Sequence, residues 1–149
     1  MNEMALTDFL SSTEQHRIVD AIAQAERHTS GEIVVHITPK CSGDPLKRAV
    51  NVFQKLRLYH TERRNAVLIF IAYQSRKFAI IGDLGINQLV PINFWDQAKD
   101  LLGSAFASGR HADGLCEAIS LIGNSLSRYF PADPSDRNEL SNEISYEDA

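Results

Sequence analysis

The sequence predicts an α/β fold in which a mixed β-sheet carries amphipathic helices, and three observations lead there. Glu32 to Ile37 is rich in β-branched residues, Asp44 to Leu56 has helical spacing, and Val67 to Ala72 is a continuous apolar run. A strand, a helix and a second strand in that order form a crossover, which leaves the two strands parallel with a right-handed connection. Phe78 to Ile81 then returns across the short polar segment Gln74-Ser75-Arg76-Lys77, so the third strand is antiparallel to the second.

The elements follow in order. Ser12-Thr13-Glu14-Gln15 has the form of a capping box, and Ile18, Val19, Ile22 and Ala25 supply a helical apolar stripe ending near His28. Thr29-Ser30-Gly31 breaks this helix before the first strand, which Pro39 closes. Asp44-Pro45 suits a helix start, with Asp as cap and Pro preset at the first helical position. The uninterrupted Val67–Ala72 run fits a strand covered on both faces. Beyond Gly82 the chain becomes turn-rich. Phe94, Ala98, Leu101, Leu102, Ala105 and Phe106 then mark one helix, and Leu115, Ala118, Ile119, Ile122, Leu126 and Tyr129 mark the last.

A length of 149 residues with 44% hydrophobic and 23% charged content suits one domain with a substantial core. We place that domain at residues 1–131 and treat 132–149 as an acidic tail, expected to be disordered because it is polar and nearly devoid of large apolar residues. The tail holds six acids against Arg137, so most of the net charge of −4 resides there and the first 131 residues are close to neutral. No strongly basic face is implied, which argues against a nucleic-acid partner. No apolar run approaches the roughly 18 residues of a membrane span. The start of the chain carries Glu3 and Asp8 where a secretory leader would be basic, so a cytoplasmic protein is expected. Cys41 and Cys116 show no metal-ligand spacing and read as free thiols. The five histidines fall in no zinc pattern, no GxSxG elbow occurs, and Gly82-Asp83-Leu84-Gly85 lacks the spacing of a phosphate loop.

The parallel strands carry the functional expectation. They bring the entry of the first strand, Glu32, to the same sheet edge as Asn65 and Asp83, and Asn87 and Asp96 are near enough in sequence to join them. Carboxylate and amide oxygens suit a hard cation, calcium first and magnesium second. Arg64 borders this edge and could contact an anion held there by the metal. Each residue also has a purely local reading: strand end, backbone cap, turn former or helix N-terminal charge.

Taken together, SGEIVVHI at 30–37, RNAVLIFIA at 64–72, RKFAIIGDLGIN at 76–87, VPINFWD at 90–96 and GRHADGLCEAI at 109–119 resemble the TPM domain family, over about residues 8–131. The short, soluble bacterial members are the type resembled. The resemblance implies a Rossmann-like three-layer α/β/α sandwich, a mixed sheet with helices on both faces. It also implies divalent-cation binding, with Glu32, Asn65, Asp83 and Asp96 matching by position, and one plant member is described as an acid phosphatase. The chain departs from many members in showing neither a signal segment nor a C-terminal anchor. A non-catalytic, calcium-binding regulatory or interaction module is therefore the first expectation. A metal-dependent phosphomonoesterase is the alternative, and a plain adaptor for an unknown protein partner is the third.

Overall fold

The computed structural model describes residues 4–135 and 138–148. Ten elements follow one another: α1 (Leu6–Phe9), α2 (Ser12–Ala25), β1 (Glu32–Thr38), α3 (Pro45–Lys55), β2 (Ala66–Ala72), β3 (Lys77–Gly82), α4 (Leu84–Asn87), α5 (Asp96–Ala107), α6 (His111–Leu126) and β4 (Ser145–Tyr146). The sheet order is β3-β2-β1-β4. β1 and β2 run parallel with Glu32 opposite Ala66, and β2 and β3 form the expected hairpin with Val67 opposite Gly82.

Every residue of β1 and β2 is buried, as continuous apolar strands between two layers require. Alternation splits their side chains between two cores. Ile33, Val35, Ile37, Val67, Ile69 and Ile71 face α2, α5 and α6, whereas Val34, Leu68 and Phe70 face Ala49, Val52 and Phe53 of α3. The architecture is therefore the three-layer α/β/α sandwich expected. Among the described residues no helix is long and apolar enough to cross a membrane. Both cysteines are free thiols.

Local signals hold with small displacements. The capping box of α2 sits one residue earlier than expected: Ser11 Oγ accepts from the Glu14 amide at 3.1 Å, and Glu14 Oε1 accepts from the Ser11 amide at 2.8 Å. Glu completes the reciprocal pair there, and the helix ends at Ala25 rather than near His28. Asp44 caps α3 through the Leu46 amide at 2.9 Å.

The stretch after Pro131 departs from the disorder expected of it. Ser145 and Tyr146 pair in parallel with His36 and Ile37, Ile144 is buried in the larger core, and the Glu147 amide donates to the Ile37 carbonyl at 3.0 Å. Composition missed this because the edge of β1 recruits backbone donors and acceptors, which any residue supplies, and a single apolar anchor suffices. The expectation for Asp136, Arg137 and Ala149, like that for the first three residues of the 1–131 domain, lies outside the described residues.

Candidate functional site: the amino-terminal edge of the parallel strands

Two loops build the edge. Thr29-Ser30-Gly31 is tied to the end of α6, with the Ser30 amide donating to the Phe130 carbonyl at 2.9 Å, and this fixes where Glu32 enters the sheet. Arg64 adopts the left-handed conformation at φ 51°, and its carbonyl accepts from the Gly85 amide at 2.9 Å. A Cβ on Gly85 would lie 2.2 Å from the Arg63 carbonyl oxygen, so only glycine lets α4 approach this closely.

Asp83, 6% exposed, caps α4 by accepting from the Leu84 amide at 2.7 Å. Both of its oxygens are also gripped by Arg64, whose Nε donates to Oδ2 at 2.7 Å and whose second terminal nitrogen donates to Oδ1 at 2.8 Å. A planar guanidinium fits a carboxylate in this two-point manner, and its charge offsets that of Asp83.

Glu32 meets a different environment. It is 2% exposed, its Oε1 accepts from the backbone amide of Glu139 in the tail, and among the described residues its Oε2 has no donor apart from the neighbouring Glu26 carboxyl. Glu26, at the end of α2, accepts from the Ile33 amide at 2.8 Å and lies close enough to Glu32 that the two carboxyls titrate together. Burial pushes the Glu26 carboxyl up to about 8, and the charge of Glu32 adds to that push. Burial also raises Glu32, against the opposing pull of the Glu139 amide, the Glu26 carboxyl and the Leu140 amide. Near neutrality the pair therefore shares a proton. A cavity of about 200 Å³ adjoins it, its lining including Glu26, Glu32, Asn138 and Asn142, and the Asn142 side-chain oxygen is another buried acceptor without a partner among the described residues.

The remaining expected ligands are distributed along the edge. Asn65, 1% exposed, donates from Nδ2 to Ser30 Oγ at 3.3 Å while its Oδ1 has no partner among the described residues, and its carbonyl accepts from the Glu32 amide at 3.2 Å. Asn87 is exposed and donates to the Gly82 carbonyl at 2.9 Å. Asp96 is exposed in the first turn of α5, where a negative charge favours the helix dipole. Among the described residues no three His, Cys, Asp or Glu side chains come together as metal ligands. The structure thus brings Glu32 beside Asn65 and pairs Asp83 with Arg64, while the Asn87 amide donates to the Asp83 carbonyl at 3.1 Å and Asp96 stands at the start of α5. Glu26 and Asn142 escaped sequence reasoning. A glutamate at a helix end and an asparagine in a polar tail carry no pattern, and only the close of α2 over β1 gives them a shared cavity.

The TPM domain profile matches residues 4–125. The NMR structure of the BA42 protein from the psychrophilic bacterium Bizionia argentinensis superposes with a TM-score of 0.89 at 39% identity, over 96% of this chain and 99% of that one. The N-terminal domain of the cg2496 protein from Corynebacterium glutamicum has the same fold at a TM-score of 0.56 and 16% identity, over 92% of this chain and 83% of that one. No curated protein matches.

Proposed function

Because the chain belongs to the TPM domain family, we propose that it is a non-catalytic, divalent-cation-binding interaction module whose cation takes the place of the proton shared by Glu26 and Glu32. One observation carries this reading: two carboxyls, Glu26 and Glu32, share a cavity, and among the described residues Glu32 Oε2 has no donor other than the proton it shares with Glu26. The donors facing the cavity include the carboxyl and amide oxygens of Glu26, Glu32 and Asn142, which fit calcium or magnesium in kind. Two carboxylates are few for calcium. The expected affinity is that of weak extracellular modules, with Kd on the order of 0.1–1 mM. A cation here would also act on the tail, since Glu32 accepts from the Glu139 amide, and the seating of the tail is then what a protein partner would read.

Arg64, the group a phosphomonoesterase would turn toward developing phosphoryl charge, is held at two points by Asp83, which favours binding over hydrolysis. Calcium titration of the labelled protein at pH 8, followed by NMR, tests the reading. Saturable shifts at Glu26, Ile33, Glu139 and Asn142 that Glu32→Gln removes would support it. Flat spectra to about 10 mM cation, or shifts centred on Asp83 and indifferent to Glu32→Gln, would overturn it. Metal-dependent turnover of 4-nitrophenyl phosphate that disappears in Arg64→Ala would replace it with the hydrolytic alternative.

A further inference from the structure

At the opposite end of the sheet a cavity of about 540 Å³ opens beside the carboxyl end of β2, the side on which open α/β sheets hold their ligands. Its volume lies within the range of small-molecule sites. The walls are aromatic. Phe9 stacks on Tyr73 with ring centroids 5.5 Å apart, and Phe106 stands edge-on to Phe9 at 5.6 Å and to Phe78 at 5.7 Å. Phe9, 4% exposed and packed between Tyr73 and the His111 ring at 4.5 Å, forms the floor, and the half-buried Phe78 and Phe106 rings form the walls.

Polar groups are few and placed. His111 also lines the cavity, and its Nδ1 lies 3.0 Å from the Phe9 carbonyl. A carbonyl only accepts, so the neutral ring carries its proton on Nδ1 and leaves Nε2 as an acceptor. Lys77 donates to the carbonyls of Cys41 at 3.0 Å and Gly43 at 2.9 Å, which ties down the hairpin turn. Arg76, in the left-handed conformation at φ 56° in that turn, is exposed at the cavity and makes no ion pair among the described residues. The nearby acid, Asp8, shares an adjoining depression with Arg76 and accepts from the Ala5 amide at 3.2 Å.

Gly103 adds an independent observation. It lies within α5, where glycine is a poor helix former, and a Cβ there would meet only the Phe78 ring edge, at 4.0 Å. Helix packing does not demand glycine at this position; its lack of a side chain leaves the cavity open.

We propose that this cavity binds a planar aromatic carboxylate of one or two fused rings, its ring system between Phe78 and Phe106 and its carboxylate on Arg76. This site is separate from the Glu26–Glu32 pair and stands or falls without it. The labelled full chain would be titrated with 2-naphthoate and with its neutral counterpart, naphthalen-2-ylmethanol, and followed by NMR. Saturable shifts are expected at Phe78, Gly103, Phe106 and His111. Arg76→Ala should weaken naphthoate about fivefold and leave the alcohol unchanged. Gly103→Leu should weaken both about tenfold or more by filling the space, with melting temperature preserved. Ala107→Leu, at an exposed wall position, provides a second filling variant if the first perturbs folding. Absence of shifts to about 5 mM ligand, naphthoate affinity unchanged in both filling variants, or equal loss of both ligands in Arg76→Ala would overturn the proposal.

Discussion

Asp83 and Glu32 are carboxylates of similar burial on one edge of one sheet, and the fold neutralises them by opposite means. Asp83 has a guanidinium held at two points and a helix amide. Glu32 has a backbone amide and a neighbouring carboxyl with which it shares a proton, and no counter-charge among the described residues. The difference shows that burial of a charge is tolerated either with a fixed counter-charge or with a proton. Only the second arrangement remains open to exchange with solvent, because a proton can be replaced by another cation whereas a covalently tethered guanidinium stays.

The contrast can be broken at Asp83 first. Asp83→Ala removes a helix cap and two charge-assisted hydrogen bonds, and should cost about 2–3 kcal/mol in urea unfolding at neutral pH. A pH series comes next. Folded Glu26 titrates at about 8 against 4.5 for the unfolded chain, so in between the native state binds more protons than the unfolded state, and stability falls as pH rises. His36 acts oppositely: burial lowers its pKa from 6.5, so its contribution falls only as pH drops below that value. Between pH 6.5 and about 8 only the Glu26–Glu32 pair contributes, both carboxyls being raised by burial, and a loss of about 2 kcal/mol is expected from Glu26. Millimolar calcium should offset that loss if the cation replaces the proton.

The tail offers a sharper separation, because its Glu139 amide donates to Glu32 whereas Asp83 is held by Arg64 and Leu84. Ile144→Ala, at a position 7% exposed, should cost about 2 kcal/mol and flatten the pH slope by letting water reach Glu32. A slope that survives this loosening would show that the tail does not desolvate the pair. The smallest effect belongs to Glu32→Gln, which keeps shape and removes one charge. It should stabilise the protein by about 1 kcal/mol at pH 8, with little change at pH 5, in thermal unfolding at both values.

The elements of the fold were legible because each rests on a local rule. Alternation, capping residues and the continuous apolar strand from Val67 to Ala72 report burial directly. The expected edge was legible for the same reason, since parallel pairing of β1 and β2 follows from the crossover between them. Which oxygens share that edge productively was not legible. Arg64 could be read as a neighbour of Asp83 but not as its clamp, because the clamp depends on a left-handed backbone at Arg64 and the close approach of Gly85. The tail was misread because edge pairing draws on the backbone, to which composition is blind.

By itself the sequence determined the α/β class, the parallel and antiparallel relations of the first three strands, and the presence of Glu32, Asn65 and Asp83 on one edge. These properties follow from periodicity and chain connectivity, which act over a few residues at a time. The tertiary structure alone decided that Asp83 is answered by Arg64, that Glu32 is answered by Glu26 and the tail, and that an aromatic cavity stands at the other end of the sheet. Those outcomes depend on distances between segments far apart in the chain. Such distances are set by how three layers close on one another, and no local pattern encodes them.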